Sequence, residues 1–224
     1  MRLLLIRHGQ TPDNVRGAIG TIAPGPRLTA LGTRQAKALP AALADQRIDA
    51  LSVSTLVRTQ LTARPLAAAR GLKPLVIDGL REIQAGDLEG KHDRDSVAIY
   101  LKTFLAWASG QLDARMPGAE SGHEFFRRYD AAVERAIAAD ASGDAGRTVA
   151  VVSHGAAIRT WVGLRAGNIE ADFVREHMLS NTGLVVVDGD PESGWRLLDW
   201  ESEPVGGEEL AEHAVGEDPT GEAF

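Results

Sequence analysis

The sequence of 224 residues contains no cysteine, so disulfide scaffolds, thiolate zinc sites, iron–sulfur clusters and cysteine nucleophiles are excluded. The longest apolar run near the N-terminus, Leu3 to Ile6, is far too short for a signal-peptide core or a membrane span. The six histidines form no HExxH motif or other close pair, which leaves a metal site without support. We therefore expect a cytoplasmic protein with no membrane association and no bound metal.

An excess of basic charge is also missing. The formal net charge is −7, from 24 Lys and Arg against 31 Asp and Glu. Residues 202–224 hold seven of these acids and no Lys or Arg, so the preceding 201 residues are balanced. A neutral body without a basic stripe argues against nucleic acids and anionic membranes as partners. We interpret residues 1–201 as one domain and the glycine-rich, acidic residues 202–224 as a flexible tail that favours solubility.

Short apolar runs alternate with longer segments of helical periodicity. Runs of strand length lie at residues 2–6, 50–53, 74–77, 148–152, 184–187 and, more weakly, 195–200. Helical patterns cover about 30–43 after Thr29, 56–69, 121–137 with a Ser121–Glu124 capping box, and 155–164. This alternation predicts an α/β fold with three layers, α/β/α, around a mostly parallel sheet. Residues 92–119 interrupt it and predict a helical insertion over the edge that holds the active site.

Polar side chains follow the apolar runs at the points where the strands should end. These residues are Arg7 and His8, Ser54 and Arg58, Glu82, and His154. Ligands in open α/β sheets bind beyond the carboxyl ends of the strands, so we expect these side chains to meet in one crevice. The planar guanidinium group suits phosphate oxygens, and a neutral imidazole can attack phosphorus without a separate base. The pattern therefore predicts a site for a phosphate or carboxylate ligand.

Taken singly, each of these residues has a plainer explanation. A histidine after a strand is more often a structural hydrogen-bonding group than a catalyst, and Arg58 or Glu82 alone is typical of a surface or loop charge. Gly20 and Gly25 have the spacing of a phosphate-binding loop, but Pro26 and Arg27 stand where Lys and Ser or Thr are needed. No G-x-G-x-x-G follows a strand, so no dinucleotide is expected.

Six short motifs occur in order along roughly residues 1–190. They are Leu5-Ile6-Arg7-His8-Gly9-Gln10-Thr11 with Asn14; Leu28-Thr29 with Gly32 and Gln35-Ala36; Ser54, Leu56 and Arg58 with Gln60 and Thr62-Ala63; Leu80-Arg81-Glu82 with Gly86 and Glu89-Gly90; Glu120-Ser121; and Val152-Ser153-His154-Gly155. Together they resemble the motifs of the histidine phosphatase superfamily, in its phosphoglycerate-mutase-like branch. The acidic tail lies outside this resemblance.

The resemblance implies a role for each matched residue. His8 would be the nucleophile that becomes a phosphohistidine, and Glu82 would protonate the leaving oxygen and later activate water. The residues expected to hold the phosphoryl oxygens or contact the substrate are Arg7, Arg58, His154, Asn14, Gln10 and Thr11. No metal or organic cofactor is required. We predict a phosphomonoester hydrolase whose substrate is a small phosphorylated metabolite, with residues 20–27 and 91–119 shaping the choice.

Two other functions stay open. A phosphoglycerate mutase primed by 2,3-bisphosphoglycerate would use the same residues, but Ile83, Gln84 and Ala85 replace the Arg, aromatic residue and Gly that follow the glutamate in the family's mutases. A non-catalytic phospholigand-binding protein would keep the arginines without needing an acid such as Glu82. The sequence leaves open the natural substrate and the oligomeric state, a homo-oligomer included.

Overall fold

The computed structural model describes residues 1–139, 146–170 and 172–211. Within them, the strands are β1 (Arg2–Arg7), β2 (Ala50–Val53), β3 (Leu75–Val76), β4 (Thr148–Ser153), β5 (Leu184–Asp190) and β6 (Gly194–Glu201). They form one sheet in the order β3-β2-β4-β1-β5-β6. β3, β2, β4 and β1 pair in parallel, whereas β5 pairs antiparallel with β1 and with β6. The predicted mostly parallel sheet is confirmed.

The helices in the same part of the chain are α1 (Pro12–Arg16), α2 (Ala30–Ala42), α3 (Val57–Arg70), α4 (Arg94–Ala108), α5 (Gly122–Ala138), α6 (Gly155–Arg165) and α7 (Phe173–Glu176). The capping signals act as predicted, because the Thr29 hydroxyl accepts from the Gly32 amide and Ser121 forms a capping box with Glu124. None of the described helices combines the length and the apolar character that a bilayer span needs.

The side chains of the central strands alternate between two apolar cores. Leu3 and Leu5 of β1 pack in a core shared with α4, α5 and α6, whereas Leu4 and Ile6 pack in a core shared with α2 and α3. Successive side chains of a strand point to opposite faces of the sheet, so a continuous apolar run requires cover on both faces. The structure thus has the predicted three layers.

The predicted insertion at residues 92–119 consists of α4 and the loop that follows it. α4 packs against α6, and its Phe104 and Trp107 side chains are fully buried in the core. The Tyr100 hydroxyl donates a 3.1 Å hydrogen bond to the carbonyl oxygen of Ile83, the residue after Glu82. The insertion is therefore helical, and it contacts the segment that carries the predicted acid.

The first part of the predicted tail, residues 202–211, contacts the domain. Val205 packs on the core beneath α2 and α3, and Leu210 is buried. The carbonyl oxygen of Leu210 accepts a 2.9 Å hydrogen bond from the buried side chain of Gln35. Residues 202–211 therefore pack on the domain, because the side chain of Val205 packs against the core and that of Leu210 is buried near α2. The rest of the predicted tail, residues 212–224, lies outside the described residues.

Candidate active site

The carboxyl ends of β1 and β4 bring the two predicted histidines together. These neighbouring parallel strands pair Arg7 with Ser153, so His8 and His154 follow at the same edge of the sheet. Their ring centroids are 5.2 Å apart. Arg58, in the first turn of α3, reaches the same place, where its Nε donates a 3.0 Å hydrogen bond to Nε2 of His8. All of these side chains are buried.

The hydrogen bonds of His8 define which nitrogen carries the proton. Nδ1 lies 2.8 Å from the carbonyl oxygen of Gly9, which can only accept, so Nδ1 is the donor. Nε2 accepts from Arg58 and therefore has a lone pair. The ring is held in the tautomer whose Nε2 can act as a nucleophile.

Burial also keeps both rings neutral. Burial, followed by the positive charges of Arg58 and Arg7, lowers the pKa of His8 well below its ordinary 6.5. Burial, then Arg58 and His8, lowers the pKa of His154 in the same way. Burial lowers the pKa of Arg58 to about 10, so this guanidinium group keeps its charge at neutral pH. The site combines positive arginines with neutral histidines.

Backbone carbonyl groups fix the two guanidinium groups. Nη1 of Arg7 donates to the carbonyl oxygen of Leu179 at 2.7 Å, and Nη2 of Arg58 donates to that of Gly20 at 2.9 Å. Nη1 of Arg58 is buried and has no hydrogen-bond partner among the described residues. A buried donor without a partner is costly unless a ligand satisfies it, so an anion at this position would be favoured.

Glu82 lies at the N-terminus of α6. Its Oε1 accepts from the amides of Ile83 and Ala157, both at 2.8 Å, and its Oε2 accepts from the amide of Ala156 at 3.2 Å. Burial raises the pKa of Glu82, although these amides and Arg58 oppose the shift. A carboxyl group with a raised pKa is suited to donate a proton near neutral pH.

Arg128, which the sequence analysis did not single out, holds the segment that carries Glu82. Its guanidinium group donates to the Glu120 carboxylate at 2.6 and 2.7 Å and to the carbonyl oxygens of Gly79, Arg81 and Glu82 at 2.9 to 3.0 Å. The motif residue Glu120 therefore orients Arg128, and its Oε1 also accepts a 2.9 Å hydrogen bond from the amide of Gln84 in the same segment. An arginine two turns into an amphipathic helix looks like any solvated charge, so no sequence signal could have marked it.

The predicted substrate-binding residues Gln10, Thr11 and Asn14 make their described hydrogen bonds with neighbouring residues of the fold. The Gln10 side-chain oxygen accepts from the Thr29 hydroxyl at 2.6 Å. The Asn14 side-chain oxygen accepts from the amide and the hydroxyl of Thr11 at 2.8 and 2.9 Å, which caps α1. These bonds shape the loop after β1, and a direct contact of the three side chains with substrate stays a prediction.

Asn181 is a second residue that the sequence analysis missed. Its side-chain nitrogen, Nδ2, donates to the carbonyl oxygen of His8 at 2.9 Å and lies 3.4 Å from the side-chain oxygen of Asn14. The next residue, Thr182, has a φ of 63°, which is rare for a β-branched side chain. Such strain is typical of functional sites, so this turn is shaped to hold the backbone of His8.

Close backbone contacts explain two of the motif glycines. A Cβ atom on Gly9 would lie 2.7 Å from the carbonyl oxygen of Gly32, and one on Gly32 would lie 2.2 Å from that of Gln10. The Gly9 amide also donates to the Thr62 hydroxyl at 2.9 Å. The loop after β1 is therefore fixed between α2 and α3, which immobilises His8.

We expect the protein to lose stability as the pH falls below 6.5, the ordinary pKa of histidine. The folded state lowers the pKa of His8 and His154, so the unfolded chain binds more protons in acid. Each histidine can contribute up to about 1.4 kcal/mol per pH unit, and the raised pKa of Glu82 opposes this by at most the same amount. Urea unfolding should show a free energy lower by roughly 1–2 kcal/mol at pH 5.5 than at pH 6.5.

The histidine variants provide the control for this pH effect. His8→Gln and His154→Gln each remove one group that must stay neutral in the folded state, so each should flatten the decline. A free energy of unfolding that is equal at the two pH values in the unmodified protein would contradict the prediction.

The three-layer fold and the paired histidines define the class of the protein. Residues 3–203 match the model of the histidine phosphatase superfamily (branch 1), so the chain belongs to this family and the predicted resemblance is confirmed. Among the described residues, no group of three or more His, Cys, Asp or Glu side chains is placed to hold a metal ion.

Known relatives and structures agree with this assignment. A PE-PGRS family protein of Mycobacterium tuberculosis is 38% identical over 90% of this chain, which spans only 36% of that protein. The adenosylcobalamin/alpha-ribazole phosphatase of Escherichia coli is 36% identical over 69% of this chain and 73% of its own length. A mycobacterial glucosyl-3-phosphoglycerate phosphatase in complex with VO3 is 27% identical, with a TM-score of 0.75 over 90% of this chain and 99% of that chain. The relatives that are named as phosphatases are hydrolases, the class of enzyme predicted from the sequence.

Proposed function

We propose that the protein is a phosphomonoester hydrolase that forms a phosphohistidine at His8. The observation that carries this proposal is the geometry at His8, where a buried, neutral ring directs the Nε2 lone pair to the guanidinium group of Arg58. A pure binding site needs the positive charge but not a neutral nucleophile, nor a nearby carboxyl group with a raised pKa. The phosphatase names of two relatives support the same conclusion.

The first step transfers the phosphoryl group to the enzyme. Nε2 of His8 attacks phosphorus, the bond from phosphorus to the ester oxygen breaks, and the departing oxygen takes a proton from Glu82. Arg7, Arg58 and His154 stabilise the charge that spreads over the other phosphoryl oxygens. The buried, unpartnered Nη1 of Arg58 provides one donor for this task.

The second step restores the free enzyme. Glu82, now a carboxylate, takes a proton from a water molecule, whose oxygen attacks the phosphorus of the phosphohistidine. The bond from phosphorus to nitrogen breaks, the electron pair returns to Nε2 of His8, and inorganic phosphate leaves. The proton that Glu82 gave to the leaving group is thereby replaced.

A groove beside the site offers space for the leaving group. It has a volume of about 430 Å³ and is lined by Thr21, Ile22, Ala23, Asp78, Arg81, Gln84, Gly86, Gly118 and Ala119. Thr21 follows Gly20, whose carbonyl oxygen accepts a hydrogen bond from Arg58. Gln84 lies two residues after Glu82, so the groove adjoins the reacting groups. Its size suits a small phosphorylated metabolite. Five of its lining residues, Thr21, Ile22, Ala23, Gly118 and Ala119, fall within the two segments expected to shape substrate choice, and the other four come from the segment around Glu82.

Trapping the intermediate tests this proposal. The protein is mixed with ³²P-labelled nitrophenyl phosphate and quenched in base during turnover. We expect label on His8 that survives base and is lost in acid, together with release of inorganic phosphate, because phosphorus bonded to a histidine nitrogen is acid-labile. His8→Ala should acquire no label and release no phosphate. The activity of the unmodified protein should survive exhaustive chelation with EDTA.

Each alternative gives a different result. A mutase would need 2,3-bisphosphoglycerate and would move phosphate between positions without releasing it. A non-catalytic binding protein would bind phosphate but acquire no label. Label on another residue, full activity in His8→Ala, or activity lost to EDTA and restored by a divalent ion would contradict the proposed mechanism.

A further inference from the structure

Ser54 contacts His154 at the end of β2, the strand next to β4. The Ser54 hydroxyl oxygen lies 2.8 Å from Nε2 of His154, and both residues are fully buried. The same oxygen accepts a 3.2 Å hydrogen bond from the amide of Leu56, which fixes its position. The hydroxyl proton of Ser54 is thus free to point to an acceptor.

The other ring nitrogen of His154 has no such contact. Nδ1 is buried and has no hydrogen-bond partner within the part of the chain that the structure describes. The centroid of its ring is 5.2 Å from that of His8. A neutral imidazole has only one N–H group to share between its two nitrogens. If that proton were on Nε2, Nδ1 would direct a lone pair at any phosphoryl oxygen placed beside it and would repel that oxygen.

We propose that Ser54 is a positioning residue that sets the tautomer of His154. It donates its hydroxyl proton to Nε2, so the single ring proton stays on Nδ1, where it donates to a phosphoryl oxygen. In a histidine, the hydrogen bond made by one nitrogen determines the protonation of the other. The inference rests on the proposed function, because the phosphoryl group is the acceptor for Nδ1.

One competing acceptor lies near the Ser54 hydroxyl. The Thr59 hydroxyl oxygen is 3.0 Å away, and its own proton is directed to the carbonyl oxygen of Leu56 at 2.9 Å. Nε2 of His154 is the closer acceptor, and an anion beside Nδ1 further favours the tautomer with the proton on Nδ1. The hydroxyl of Ser54 therefore donates to His154 rather than to Thr59.

This arrangement lets His154 stabilise the anion without a charge of its own. Arg7 and Arg58 already place positive charge beside the ring, so a protonated His154 would be a further cation in a buried site. A neutral donor avoids that repulsion. It also leaves the positive charge on the arginines, which are held by backbone carbonyl groups.

The tautomer can be read directly by NMR of the full-length protein with ¹⁵N-labelled histidine. We expect His154 to be protonated at Nδ1 and not at Nε2, both alone and with inorganic phosphate bound. In Ser54→Ala, part or all of the proton should move to Nε2. At neutral pH kcat/KM should fall about tenfold, as expected for the loss of one hydrogen bond to a charged group. The loss should shrink in acid, because a protonated ring again has hydrogen on Nδ1.

Two further variants separate this role from a general structural one. Ser54→Thr keeps the hydroxyl group and should restore the tautomer and the pH profile. Thr59→Val removes the neighbouring hydroxyl but keeps the contact between Ser54 and Nε2 of His154, so the tautomer and the pH profile should stay unchanged. An Nε2-protonated His154 in the unmodified protein, or an identical pH profile in Ser54→Ala, overturns the proposal. If phosphate shifts the signals of neither His8 nor His154, the proposed function fails instead, and the tautomer of the unliganded protein still decides the role of Ser54.

Discussion

Glu82→Gln should slow phosphorylation by alkyl phosphates by about 10²–10⁴-fold, while phosphorylation by nitrophenyl phosphate is slowed far less. An alkoxide needs a proton as it leaves, whereas nitrophenolate is stable without one. Oε2 accepts one amide at 3.2 Å, and Oε1 accepts two at 2.8 Å, so Oε2 is the oxygen that can carry the acidic proton. Glutamine keeps the shape and the acceptor at Oε1 but has no proton to give.

The rate of phosphoenzyme formation before the steady state provides the measurement. Hydrolysis of the phosphohistidine should slow equally after both substrates, because the leaving group has departed by then. Glu124→Gln is a matched control, since Glu124 also accepts from a backbone amide, that of Ser121, but lies outside the proposed chemistry and the groove. It should affect both substrates alike. If Glu82→Gln slowed phosphorylation by alkyl phosphates and by nitrophenyl phosphate equally, Glu82 would be a positioning residue and not the acid.

Arg58→Ala should lower kcat/KM by about 10²–10³-fold, the usual loss when one donor to transition-state charge is removed. It should also move the acid limb of the pH profile upward. Arg58 is the charge that contributes most to lowering the pKa of His8, and its Nε contacts the attacking nitrogen. Without it, His8 takes up a proton at higher pH and stops being a nucleophile.

Two variants define the specificity of this effect. Arg58→Lys keeps a positive charge but cannot donate to both His8 and the carbonyl oxygen of Gly20, so only part of the activity should return. Arg64→Ala removes an exposed charge from the same helix and should leave the pH profile unchanged. An Arg58→Ala enzyme with an unmoved acid limb would contradict the role assigned to Arg58.

The elements of the fold were predictable where one local signal dominates. β1 and β4 are continuous apolar runs, and α2 and α5 follow directly after Thr29 and Ser121, residue types that cap helices. The meeting of His8 with His154 was also predictable, because parallel strands present their carboxyl ends at one edge of the sheet.

Features that depend on the packing of distant loops were not predictable. The sequence predicts a flexible tail at residues 202–211 because acids and glycines there outnumber the two side chains, Val205 and Leu210, that pack near α2. Arg128 and Asn181 act by donating to backbone carbonyl groups, and a carbonyl group exists at every position of a sequence. Only the folded loops decide which carbonyl oxygen is within reach.

The pairing of β1 with β4 also determines when the site can exist. Arg2 pairs with Thr148, so the two histidines meet only after segments separated by more than half of the chain have docked. The entropy of closing so long a loop must be overcome before the contacts form, which places this step late in folding. On the ribosome, a chain that ends before α6 has His8 and Arg58 but lacks two of the three amides that hold Glu82, those of Ala156 and Ala157. Unfinished chains therefore lack the complete arrangement of the proposed phosphoryl site.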